Sequence, residues 1–80
     1  MVRVRLFARA RDLAGGDWVS FVLTPGATVA DLRRQLGQSL PALGDFLNRC
    51  AVAVNNEVAG DDSVLPADAE IALLPPVSGG

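Results

Sequence analysis

Residues 2–11 read Val-Arg-Val-Arg-Leu-Phe-Ala-Arg-Ala-Arg, a nearly strict alternation. Val2, Val4, Leu6, Ala8 and Ala10 take the even positions. Arg3, Arg5, Arg9 and Arg11 take the odd ones, with Phe7 as the exception. A period of two over this length predicts a strand with one buried face. Gly15-Gly16 links it to a second strand, Trp18–Thr24, in which Val19, Phe21 and Leu23 point inward. Pro25-Gly26 ends that strand. Thr28 then supplies a helix N-cap, with Asp31 three residues on, where a carboxylate suits the positive end of the helix dipole. Val29, Leu32 and Leu36 make the apolar stripe, Arg33-Arg34 the solvated face and Gly37 the C-terminal stop.

Pro41–Asn48 reads as a short second helix whose Leu43, Phe46 and Leu47 close one end of the core. Ala51–Asn55 is a compact strand, and Asn55-Asn56 suits a tight turn into Glu57-Val58-Ala59. Gly60-Asp61-Asp62 and Pro66-Ala67-Asp68 are loops. Glu70–Leu74 is the last strand, with Ile71 and Leu73 inward, Glu70, Ala72 and Leu74 outward, and Pro75-Pro76 as its stop. An antiparallel pair, a helix and then returning strands predict an α+β fold. We expect one mixed sheet of four to five strands curled around one main helix, plus a short second helix. The last strand then lies parallel beside the first, with the main helix as crossover. Residues 1–75 form this domain and residues 76–80 a flexible tail.

Composition narrows the function. Half of the 80 residues are apolar and 20% are charged, a balance that a disordered chain does not have. One cysteine cannot make an internal disulfide. Without histidine there is no Ser-His or Cys-His pair and no zinc cluster, so no metal is expected. Apolar runs fall far short of the ~20 residues of a membrane span. A net charge of −2 argues against a dedicated nucleic-acid binder. The expectation is a soluble, cytoplasmic protein with neither nucleic acid nor membrane as partner. Cys50, with no histidine to activate it, reads as a structural residue.

The chain ends Pro75-Pro76-Val77-Ser78-Gly79-Gly80. The prolines stiffen an extended exit from the sheet, and six extended residues reach roughly 20 Å. Glycines lack Cβ and pass through a channel too narrow for other residues. The reactive group such a tail delivers is the carboxyl of Gly80. Phe7 is an aromatic on an otherwise charged face, which Leu74 shares from the neighbouring strand and Val58 joins. An apolar cluster ringed by arginines has the make-up of a protein-docking patch.

These elements resemble the ubiquitin-like β-grasp sulfur carriers, and among them the small subunits of molybdopterin synthase. The residues that carry the resemblance are Leu6-Phe7-Ala8-Arg9-Ala10-Arg11-Asp12-Leu13-Ala14-Gly15, Ala27-Thr28-Val29, Ala53-Val54-Asn55 and Leu74-Pro75-Pro76-Val77-Ser78-Gly79-Gly80. Asp12 stands where that family usually has Glu. The resemblance implies a protein cosubstrate, not an enzyme, with no bound cofactor. It implies that an E1-like adenylating enzyme uses ATP to adenylate the Gly80 carboxyl. Sulfur from a donor then replaces AMP, leaving a 1-thioglycine thiocarboxylate. Ser78 and Gly79 carry that end into the large catalytic subunit, where sulfur passes to a cyclic pyranopterin. Two carriers and two large subunits form the heterotetramer. Phe7, Val58 and Leu74 match apolar docking positions, Arg11 a polar contact beside them, and Pro75 and Pro76 the start of the tail. Two alternatives stay open: a carrier for the thiazole of thiamine, and a ubiquitin-like modifier joined to target lysines. All seven basic residues here are arginine, so the chain offers no lysine of its own.

Overall fold

The computed structural model describes residues 1–76 of the chain. Five strands and three helices follow one another: β1 (Val2–Leu6), α1 (Ala8–Ala14), β2 (Trp18–Phe21), α2 (Val29–Ser39), α3 (Gly44–Arg49), β3 (Ala51–Val54), β4 (Glu57–Ala59) and β5 (Glu70–Leu74). A 3₁₀ turn, Pro41–Leu43, leads into α3. The strands form one mixed sheet in the order β2-β1-β5-β3-β4. β1 is antiparallel to β2 and parallel to β5, while β3 is antiparallel to both β5 and β4. The parallel β1–β5 pair is the crossover expected from the element order. Inward residues of the sheet (Val2, Val4, Leu6, Phe21, Val52, Ile71, Leu73) share one core with Val29, Leu32 and Leu36 of α2 and with Leu43 and Leu47.

The first strand is shorter than its sequence pattern. The chain leaves the sheet after Leu6, and Ala8–Ala14 is a helix, so Arg9 and Arg11 sit on α1. Alanine has almost no face preference, so Ala-Arg-Ala-Arg alternates without demanding a strand. The same residues have high helix propensity. As a helix they place Ala10, Leu13 and Ala14, at i, i+3 and i+4, against the core. Ala8 opens this helix at φ +48°, and Gly15 closes it in the left-handed region at φ +80° with its N–H on the Arg11 carbonyl. β2 likewise ends at Phe21 and not at Thr24. Phe21 pairs with Val2, the first residue of β1, so the chain beyond it has no ladder partner.

α2 starts as its sequence requires. The Thr28 hydroxyl accepts from the Asp31 N–H, and the Asp31 carboxylate accepts from the Thr28 N–H at 2.9 Å. That backbone hydrogen bond, with help from the Thr28 hydroxyl and Arg34, lowers the Asp31 pKa from its ordinary 3.8. The Val29 and Ala30 N–H groups donate to the Ser63 and Asp61 carbonyls, both at 3.0 Å. The 60–65 loop thus satisfies donors the helix cannot.

Two sequence expectations for α2 are corrected. Gly37 does not stop the helix, which runs to Ser39; a Cβ built on it meets Leu47 Cδ2 at 3.6 Å, ordinary packing contact. The stop comes from Pro41 two residues later. Arg33 is not on the solvated face. Its guanidinium donates to the carbonyls of Leu47 at 2.9 Å and Cys50 at 2.7 Å and pairs with Asp61 at 2.9 Å. It therefore ties α2 to the end of α3 and to the loop after β4. Cys50 is buried, its Sγ donates to the Phe46 carbonyl at 3.3 Å, and burial pushes its thiol pKa up. That environment disfavours the thiolate, in keeping with a structural role.

Candidate functional site

The sheet has one covered and one open face. Odd residues of β1 and even residues of β5 point away from the helices, which puts Arg3, Arg5, Glu70, Ala72 and Leu74 on the outer side. The parallel β1–β5 register ends at Leu6 opposite Leu73, which places Phe7, the N-cap of α1, and Leu74, the last residue of β5, at the same end of the sheet. Both are half-buried, as are Pro75 and Pro76, which carry the chain off the same end of the sheet. Four of the residues read from sequence as partner-binding, Phe7, Leu74, Pro75 and Pro76, thus lie at one end of the sheet.

Its other members are placed less tightly. Val58 lies opposite Ala53 on the edge strand β4, two strands from β5. At a strand spacing of about 4.8 Å, that sets it roughly 10 Å from the Leu74 strand. It is on the outer face and 71% exposed. Arg11 stands on α1 with its Nε 3.7 Å from Asp17 and 4.0 Å from Asp12, so its charge already has partners. Val77, Ser78, Gly79 and Gly80 lie outside the described residues.

The residue that sequence reading passed over is Trp18. It pairs with Arg5 across the β1–β2 ladder and is 43% exposed. The Arg3 guanidinium lies 4.3 Å from the Trp18 ring centroid. That of Arg5 lies 5.4 Å from the same ring and 5.2 Å from Phe7. These are cation–π distances. The available signal was an aromatic opening a strand opposite an Arg-x-Arg alternation, where a solvent-facing position ordinarily takes a polar residue. Among the described residues, no group of three or more His, Cys, Asp or Glu is placed to hold a metal ion. No helix among them is long and apolar enough to cross a membrane. What the outer face offers is a surface with apolar, aromatic and cationic parts, suited to contact with another protein.

Comparison with known proteins agrees with this architecture. A family model described as the ThiS family matches residues 4–80. The molybdopterin synthase sulfur carrier subunit of Chlamydomonas reinhardtii is 36% identical over 81 residues, covering 99% of this chain and 98% of that protein. The crystal structure of SAMP1, small archaeal modifier protein 1, from Haloferax volcanii matches with a TM-score of 0.84 at 34% identity, over 99% of this chain and 98% of that one. A chain from the complex of subunits 1 and 2 of the Helicobacter pylori molybdopterin-converting factor matches with a TM-score of 0.69 at 30% identity, over 99% and 97%. With a family match through nearly the whole chain and the same curled mixed sheet in its structural relatives, this protein has the ubiquitin-like β-grasp fold and belongs to the ThiS family.

Proposed function

We propose that the protein is the sulfur carrier subunit of a molybdopterin synthase, a protein cosubstrate that carries sulfur as a thiocarboxylate on Gly80. The observation that carries this reading is the family match over residues 4–80, which takes in both the outer-face residues and the Gly79-Gly80 ending. Full-length similarity to a carrier subunit and to a chain solved in complex with subunit 2 of a molybdopterin-converting factor supports it.

The chemistry follows from what a carboxylate lacks. A free carboxylate is a poor electrophile, so an E1-like enzyme first spends ATP to adenylate Gly80. Sulfur from a donor displaces AMP and leaves a thiocarboxylate, a soft nucleophile. The outer face docks on the large catalytic subunit through Phe7, Leu74 and Val58, with Arg11 beside them. Pro75 and Pro76 aim the exit, and Ser78 and Gly79 are small enough to let the end reach the cyclic pyranopterin that accepts the sulfur. The fold supplies placement and the partner supplies catalysis, so the carrier itself is no enzyme. The complex formed is a heterotetramer of two carriers and two large subunits.

The likeness to small archaeal modifier protein 1 favours one second reading. The same activated Gly80 would there be captured by a lysine amine of a target protein in place of a sulfur donor. Intact mass measured after incubation with native extract, ATP and a sulfur source separates the two. A mass gain equal to replacing one oxygen by sulfur, mapped to Gly80 and lost when Gly80 is deleted, is the expected result. Gly80 joined to lysines of other proteins, with no thiocarboxylate, would replace the carrier reading by the modifier one.

A further inference from the structure

One row of register partners crosses the middle of the outer face: Trp18, Arg5, Ala72, Ala53 and Val58, running from β2 to β4. Its centre is two alanines and its flanks are large. Ala53 is only 7% exposed although none of the described helices covers this side, because its taller neighbours screen it. The outcome is a hollow of about 170 Å³, floored by Ala53 and Ala72 and walled by Arg5, Phe7, Trp18 and Glu70. Small-molecule sites are larger, about 300–1,000 Å³. A hollow this size suits one protruding side chain.

The cations beside it are poised for a partner. A guanidinium stacked on a ring keeps its N–H donors in its own plane, so stacking orients the donors without using them. Arg3 and Arg5 are held this way on Trp18. Among the described residues neither has a carboxylate oxygen within 4.0 Å, whereas Arg11, Arg33 and Arg34 all do. Glu70, the register partner of Arg3, lines the same hollow, so this corner carries two guanidiniums against one carboxylate; that sign is opposite to the chain's net −2 and favours an acidic surface.

We propose that the hollow is a socket for an acidic, apolar segment of the large-subunit partner. An apolar side chain of that subunit enters over Ala53 and Ala72, and a neighbouring carboxylate is held by Arg5 or Arg3 through paired N–H donors. The socket rests on the carrier reading above. To the apolar contact at Phe7 and Leu74 it adds a charge-selective element that discriminates among large subunits.

Calorimetric titration of wild type, Arg5→Gln, Ala72→Leu and Phe7→Asp into the purified large subunit, at low and high NaCl, tests it. Both socket residues lie on the outer face, and unchanged melting temperatures verify that the variants fold. Arg5→Gln should weaken binding by about five- to tenfold at low salt, with the difference narrowing at high salt as screening removes the charge contribution. Ala72→Leu fills the socket and should weaken binding by at least about tenfold at both salts. If Phe7→Asp loses binding while Arg5→Gln and Ala72→Leu bind like wild type, the socket is overturned and the carrier reading stands. If wild type does not bind the large subunit at all, both are overturned. A single-stranded oligonucleotide that binds wild type and not Arg5→Gln, with large-subunit affinity unchanged, would reassign the stack to nucleic acid.

Discussion

On β1, Val2, Val4 and Leu6 are buried at 4%, 0% and 2% exposure, while Arg3 and Arg5 between them are open to solvent. β5 repeats this contrast, with Ile71 and Leu73 inside and Glu70, Ala72 and Leu74 outside. The two faces belong to the same strands, yet they obey different constraints. Side chains on the inner face pack from both sides against α2 and the 41–49 segment, so their volume is fixed. None of the described helices covers the outer face, and the interactions there are cation–π contacts of Arg3 and Arg5 with Trp18 and Phe7 beside a shallow hollow. The buried apolar residues are concentrated on one face and the proposed docking surface lies on the other, so substitutions should separate stability from binding.

The sharpest test of that separation is Leu73→Ala. It deletes a side chain with no exposure and should cost about 3 kcal/mol in urea unfolding. A loss below about 1 kcal/mol would mean the inner face is loosely packed. Arg33→Ala should cost about 2 kcal/mol, since it leaves the Leu47 and Cys50 carbonyls without their charged donor. Asp61→Ala should cost much less by the same measurement, because its contact with Arg33 is exposed. Equal losses would place the energy in the ion pair and not in the carbonyl clamp. Gly37→Ala should stabilise by about 0.5–1 kcal/mol, because the helix interior gains propensity and the new Cβ meets Leu47 at ordinary distance. A fall in melting temperature would show that α2 and α3 are packed too closely for a methyl group. Smallest of all, Arg5→Gln on the outer face should shift unfolding by no more than about 0.5 kcal/mol. A larger loss would break the division between the faces.

The site was partly legible in the same way. Phe7 stood out as an aromatic in a charged row, and the alternation of 70–74 put Leu74 on its side of the sheet. Their placement at one end of the sheet follows from the parallel register. Arg33 was misplaced although its spacing gave it away. With Val29, Leu32 and Leu36 it completes an i, i+3, i+4, i+7 stripe, and its charge alone suggested solvent. A guanidinium at such a position is satisfied by the carbonyls at the end of α3, which lie in a different part of the chain. Trp18 was read only as the start of β2, because its cation–π partners sit on another strand.

The sequence by itself determined the inner face: large apolar residues at period two in β1 and β5, the Thr28–Asp31 cap and the Asn55-Asn56 turn all act within a few residues. It also determined the order of elements that brings β5 beside β1. Tertiary structure decided where β1 stops, since Ala8–Ala14 alternates like a strand but has helix propensity, and the helix prevails because it puts Ala10, Leu13 and Ala14 on the core. It alone decided the outer face too. A row from Trp18 to Val58 exists only when four strand pairings are in register, and no local pattern records contacts between residues that far apart.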